Sequence, residues 1–191
     1  MARCYSVLVP IRHPPPSASM PDIWLVSDPR IDESLARALA RLPRGSGLIF
    51  RHYVLPARAR CARFRVLAGI ARRHGHRAVW SGTAREARRM GADGVYGDPR
   101  RLATGPRLLR LATAHSLREI GRANRHRADA VLLSPVFATR SHPGAKTLGA
   151  ARFRLLAARS RPPVIALGGM NGARARRLGW TKWAAIQAFS D

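Results

Sequence analysis

The 191-residue sequence predicts an α/β fold, a compact (β/α)8 TIM barrel with shortened helices, from three observations. Eight short apolar runs recur along the chain, at residues 23–27, 48–51, 78–81, 94–96, 108–113, 130–133, 164–167 and 183–186. They are too short for buried helices and mostly lack polar alternation, which is the pattern of parallel strands buried on both faces. The stretches between them are rich in Arg and Ala and carry helical periodicity. Two of these stretches open with an S/T-x-x-E sequence within three residues of a strand end, where a βα loop should start its helix.

Taken in order, residues 31–42 put Leu35, Ala38, Leu39 and Leu42 on one helical face, with Arg37 and Arg41 off it. Residues 58–74 place Ala62, Val66 and Ile70 at steps of four, which predicts a second helix with that apolar face. Thr83-Ala84-Arg85-Glu86 and Ser116-Leu117-Arg118-Glu119 are the two capping-box sequences. Residues 98–103 fit only a helical stub. Gly91-Ala92-Asp93-Gly94-Val95 and Arg127-Ala128-Asp129-Ala130-Val131 echo each other, each ending a helix and opening a strand. Strands recur about every 23 residues, short for a barrel, so several helices must be one or two turns long. The alternative, a doubly wound sheet, wants a glycine fingerprint after an early strand, whereas Gly45-Ser46-Gly47 precedes one. Residues 1–19 read as a disordered leader and residues 20–191 as one barrel domain, with Met20 as an alternative start.

Lys plus Arg number 35 against 10 acids, for a net charge of +25; only Lys146 and Lys182 are lysines, which leaves 33 arginines. Such a balance first suggests a nucleic-acid partner. Most of the arginines fall inside the helices, however, and in a barrel those form a ring around the whole molecule. The 12 aromatic residues do not interleave with Arg runs, so a solvated surface is the preferred reading over nucleic acid. Two cysteines make neither a disulfide framework nor a zinc site and fit a reducing cytoplasm, the expected location. No apolar run reaches membrane-spanning length, so no membrane partner is expected. A homo-oligomer is compatible with all of this.

In a barrel the active site lies at the C-terminal strand ends. Three of those ends stand out. Ala166-Leu167-Gly168-Gly169-Met170-Asn171 follows strand seven, where paired glycines let backbone N–H groups approach a phosphate. The long loop after strand six, from Ser134 to Gly149, carries Thr139, Arg140, Ser141 and His142, which can hold an anion, and His142 can shuttle a proton. Arg51 ends strand two, a guanidinium at the mouth for a phosphate or carboxylate.

With these pieces the chain resembles the thiamine phosphate synthase / thiazole tautomerase (TenI) family. The resemblance is carried, in order along residues 22–189, by Trp24-Leu25-Val26-Ser27-Asp28, Phe50-Arg51, Gly91-Ala92-Asp93-Gly94-Val95, His115-Ser116 with Glu119, Ala128-Asp129-Ala130-Val131, Ser134-Pro135-Val136-Phe137-Ala138-Thr139, the run 164–170 and Ala184-Ala185-Ile186. It implies a barrel that handles a small phosphorylated thiazole and, in the synthase, a hydroxymethylpyrimidine diphosphate whose leaving group needs Mg²⁺ and cations. By resemblance the thiazole-phosphate half is retained in Thr139, Ser141, Gly168, Gly169, Ala185 and Ile186. Arg51, with Ser81, is the remaining diphosphate or anion contact.

The departures lie in the other half. The family's Asn-Asp pair after strand three falls on Ser81-Gly82, so that Mg²⁺ ligand is missing, and Asp98 is the one substitute for the second. The family Gln and Lys flanking Arg51 fall on Ile49 and Tyr53, and the loop Lys falls on His142. The tautomerase His falls on Pro135, leaving His142 first and His115 second as proton carriers. The sequence therefore predicts a thiamine-biosynthesis protein with a diverged diphosphate and Mg²⁺ half-site. Mg²⁺ is a cofactor only if synthase activity is retained; the alternatives are a tautomerase-like enzyme or a non-catalytic binder of a thiamine intermediate.

Overall fold

The computed structural model describes residues 20–139, 144 and 146–187; the expected leader at 1–19 lies outside the described residues. Eight parallel strands close into a barrel in sequence order: β1 (Ile23–Val26), β2 (Gly47–Phe50), β3 (Arg77–Ser81), β4 (Gly94–Gly97), β5 (Leu109–Ala114), β6 (Ala130–Leu133), β7 (Val164–Leu167) and β8 (Trp183–Ala185). The ring is closed by β8 on β1, with Ile23 opposite Trp183 and Leu25 opposite Ala185. Among the described residues seven α-helices lie between them: α1 (Leu35–Arg41), α2 (Ala57–Arg73), α3 (Ala84–Arg89), α4 (Pro99–Leu102), α5 (Leu117–Arg125), α6 (Gly149–Ala157) and α7 (Gly172–Leu178). The predicted strands and the four-residue stub α4 match this architecture. Among the described residues no helix is long and apolar enough to cross a membrane.

Strand alternation divides the core into two layers. Trp24, Val26, Ile49, Val79, Tyr96, Leu111, Leu132, Ile165 and Ala184 fill the barrel interior. Leu25, Leu48, Phe50, Trp80, Val95, Val131 and Ala185 point outward into the helix layer. There an aromatic cluster sets the phase of α2, with Phe64 5.5 Å from Phe50 and 5.2 Å from Trp80 between ring centroids. The expected α2 face is therefore corrected: Phe64, Leu67, Ala68 and Ala71 are buried, and Val66 is exposed. A bulky aromatic pocketed between two rings outweighs a four-residue spacing of smaller side chains. The first predicted helix also divides, into a 3-10 turn at Pro29–Ser34 and then α1.

The capping sequences differ in outcome. Thr83 and Glu86 form the complete reciprocal box, and the Thr83 N–H holds the Glu86 carboxyl below its ordinary range. Ser116 accepts from the Glu119 N–H, but Glu119 Oε2 takes the His115 N–H at 2.5 Å, one residue before the cap.

The internal echo is a repeated joint. Asp93 Oδ2 accepts from the Ala78 N–H at 2.7 Å while its own N–H donates to the Ala78 carbonyl at 2.8 Å. Asp129 does the same to Arg110, at 2.8 and 2.9 Å. Each joint is preceded by a left-handed residue, Gly91 at φ 64° and Arg127 at φ 52°. Glycine adopts that conformation without penalty and arginine does not. Arg127→Gly should therefore stabilise the protein by about 1 kcal/mol and Gly91→Arg should destabilise it by about as much, read as shifted urea midpoints at unchanged slope.

At the opposite end of the barrel, His76 is buried, and its Nε2–H donates to the Leu39 carbonyl at 2.9 Å. Among the described residues Nδ1 is buried without a partner, and burial lowers the ring's pKa from 6.5, with the charges of His74 and Arg44 adding to the effect. The unfolded chain thus takes up a proton, near pH 6.5 and below, that the folded ring resists, so stability falls as pH drops through that window. His76→Gln should flatten this slope in melting temperature between pH 7.5 and 5.5.

Candidate active site

The C-terminal strand ends divide by the same alternation. Arg51, two residues after the inward Ile49, and Ser81, two after the inward Val79, continue toward the mouth. Ser27 and His52 follow the outward residues Leu25 and Phe50 and belong to the helix side. His52 lies flat on Phe50, with ring centroids 4.7 Å apart. Its Nδ1 receives the Ser27 hydroxyl at 2.8 Å, and its Nε2–H donates to Asp32 Oδ1 at 2.8 Å. Asp32 also accepts from Arg63 Nε at 2.9 Å. Ser27 Oγ in turn accepts the Arg51 N–H at 2.7 Å, so this chain of contacts, buried at Ser27 and His52, fixes the backbone that presents Arg51.

On the β2–β4 side, the Tyr53 hydroxyl bonds to Ser81 Oγ, and Arg60 donates to the Ser81 carbonyl. The Arg51 guanidinium faces the Tyr96 phenol, whose pKa is pushed up by burial and pulled down by that charge. Tyr53, Arg60 and Tyr96 were not among the predicted site residues. Alternation from Ile49 through Arg51 to Tyr53, and the inward place of Tyr96 on β4, are the signals that find two of them.

On the β6–β8 side, Gly168 and Gly169 hold φ 94° and 62°. The segment after β6 zips onto Leu167 and Gly168: the Val136 N–H donates to the Leu167 carbonyl at 2.9 Å and the Phe137 N–H to the Gly168 carbonyl at 3.0 Å. Arg174 closes the turn on the Gly169 carbonyl. Among the described residues no hydrogen bond engages the Gly168 or Gly169 N–H. His115, at the end of β5, is exposed, and its Nδ1 lies 2.8 Å from the Ser134 carbonyl. A carbonyl only accepts, so Nδ1 carries the proton and Nε2 presents its lone pair. Thr139 is half-buried beyond this segment, and Ile186 packs against the interior cluster. The Ala185 side chain points into the helix layer, which leaves only its backbone for a ligand. Arg140, Ser141 and His142 lie outside the described residues.

A divalent cation here would need carboxylate oxygens. Asp28 is held on both oxygens by Arg30, at 2.7 Å each, and the Arg30 guanidinium lowers its pKa to about 2. Asp32 is bound by His52 and Arg63, Glu86 by the Thr83 N–H, and Glu119 by the His115 N–H. Asp98, the substitute metal ligand, caps α4 by accepting the Arg100 N–H at 2.9 Å. Among the described residues no three His, Cys, Asp or Glu side chains converge on one point. So arranged, these residues do not fit Mg²⁺.

A family profile described as thiamine monophosphate synthase matches residues 23–189, nearly the whole barrel. The chain belongs to the thiamine monophosphate synthase family. Its place is therefore in thiamine biosynthesis, as the sequence motifs predict. The thiamine phosphate pyrophosphorylase of Pyrococcus furiosus superposes at a TM-score of 0.75 with 24% identity, covering 90% of this chain and 88% of its own. That of Bacteroides thetaiotaomicron gives 0.58 and 20%, covering 88% and 84%. FabK from Thermotoga maritima gives 0.60 and 16%, covering 89% of this chain and 59% of its own. These likenesses share the barrel, and the last extends it well beyond the family. Among curated protein sequences none matches the chain.

The glycine turn after β7 is tightly constrained. A Cβ at Gly168 would lie 2.7 Å from Pro135 Cα, whereas one at Gly144, φ 78°, would meet open space. Gly168→Ala should cost about 3 kcal/mol or more in urea unfolding, combining overlap with strain, and Gly144→Ala about 1 kcal/mol.

Proposed function

We propose that this thiamine monophosphate synthase family member binds a phosphorylated thiazole across the β6–β8 strand ends and acts on it as a tautomerase-like enzyme. The observation that carries the reading is His115, held through Nδ1 by the Ser134 carbonyl beside the segment that zips onto Leu167-Gly168. The Gly168 and Gly169 N–H groups, which engage no acceptor among the described residues, suit a phosphate. A tautomerisation removes a proton from one ring position and returns it at another, so one reversible carrier suffices, and His115 Nε2 is available for that role. Synthesis of thiamine phosphate asks more, because a departing diphosphate must be stabilised, and the carboxylates that would hold Mg²⁺ are committed elsewhere. His142 is the second candidate carrier, and Thr139 and Ser141 are the loop groups proposed to flank the phosphate. A non-catalytic carrier of the same ligand is the second reading, favoured by those committed carboxylates.

Calorimetry with a phosphorylated thiazole, combined with proton-exchange NMR, tests the proposal. Binding is expected with turnover, and His115→Ala should lower turnover roughly 100-fold or more while affinity stays within about threefold. If His115→Ala turns over normally and His142→Ala does not, the carrier is His142. Binding without turnover in any variant would establish the carrier reading. Rapid Mg²⁺-dependent formation of thiamine phosphate from the pyrimidine diphosphate would overturn the diverged half-site.

A further inference from the structure

Across the mouth, two guanidinium groups sit among hydroxyls with no carboxylate ion-paired to either among the described residues. Arg51 and Arg60 are both half-buried, and each buries an Nε–H that has no partner among the described residues. The Arg60 guanidinium lies 4.0 Å from the Trp80 ring centroid and 5.3 Å from that of Tyr53. It is pinned to the Ser81 carbonyl, and Ser81 Oγ bonds to the Tyr53 hydroxyl and lies 3.5 Å from the Tyr96 carbonyl. Arg51 faces the Tyr96 phenol from the other side. Arg51, Tyr53, Arg60, Ser81 and Tyr96 therefore form one patch over the ends of β2, β3 and β4. The two carboxylates that feel these charges are already committed, Asp28 to Arg30 and Glu86 to the Thr83 N–H.

Guanidinium donors on aromatic faces are weakly hydrated, pre-oriented and matched to phosphate oxygens. They neutralise an oxyanion without the carboxylate ligands that a metal requires. We propose that this patch is a metal-independent anion half-site, in which Arg60 joins Arg51 to take a diphosphate or phosphate monoester through guanidinium and hydroxyl donors. It rests on the thiazole reading only for what binds opposite, so its probe is inorganic pyrophosphate with no thiazole present.

The full-length protein should bind pyrophosphate with an affinity that differs less than about twofold between excess EDTA and millimolar Mg²⁺, at constant ionic strength. Arg51→Gln and Arg60→Gln should each weaken binding about tenfold or more, as loss of a charge-assisted fork implies. Asp98→Ala and Arg85→Gln, an exposed arginine on α3, should leave it unchanged. If Arg60→Gln loses its cooperative melt, Arg60→Lys keeps the charge and a donor for Ser81 and should weaken binding about threefold or more. A tenfold gain with Mg²⁺, or equal loss from Arg85→Gln and the two mouth variants, would overturn the proposal. Absent thiazole binding beside intact pyrophosphate binding would remove the thiazole reading alone.

Discussion

Everything at the mouth of this barrel depends on the two-residue alternation of eight short strands. A strand of four residues has two that face inward and two that face outward, and the residue just past its end inherits one side or the other. Closure of the ring leaves no slack to change that assignment. Arg51 and Ser81 reach the mouth because Ile49 and Val79 fill the interior, and Ser27 and His52 join the helix layer because Leu25 and Phe50 do. The outward group is not idle. Through Ser27 it clamps the backbone N–H of Arg51, so a contact in the helix layer sets the position of a group in the mouth.

Strand identity and order were legible because buried parallel strands leave dense apolar runs between helices rich in arginine. The capping box at Thr83 and the joints at Asp93 and Asp129 were equally readable, since local hydrogen bonding dictates them. The phase of α2 was not, because it is set by Phe50 and Trp80, which are remote in sequence from Phe64. Half of the candidate site was visible as single residues, Arg51, His115 and the glycine pair. Alternation applied past the strand ends would have set the Ala185 side chain aside and added Tyr53. Arg60 could not be foreseen, since one arginine on a helix with many looks like any other until Trp80 lies beneath it.

The arginine excess has a second use in the fold. Arg63 donates to the Asp32 carbonyl at 2.8 Å, Arg154 to the Leu178 carbonyl at 2.6 Å, and Arg72 to the Gly91 carbonyl. The Leu178 and Gly91 carbonyls lie at helix ends, where intrahelical partners run out, and a forked cation reaches them from a neighbouring helix; the Asp32 carbonyl takes the Arg63 fork beside the Leu35 N–H. With 10 acids for 35 bases, most arginines have no carboxylate to pair with, and carbonyl dipoles take part of that role. Exposed arginines on α1, α2, α3, α5, α6 and α7 spread the remaining charge around the barrel.

The contact chain behind Arg51 has a consequence for how such sites are recognised. Ser27, His52 and Asp32 are hydrogen-bonded in series, hydroxyl to imidazole to carboxylate, the constellation by which hydrolases activate a serine. Judged by atoms alone, this barrel would pass for an esterase. Yet Ser27 is 1% exposed, roofed by the helix layer, and its oxygen already accepts a backbone N–H. No acyl group can approach it along that side of the sheet. The same three side chains that make a nucleophile in an open cleft here make a bracket, and the side of the strand on which they fall decides between the two.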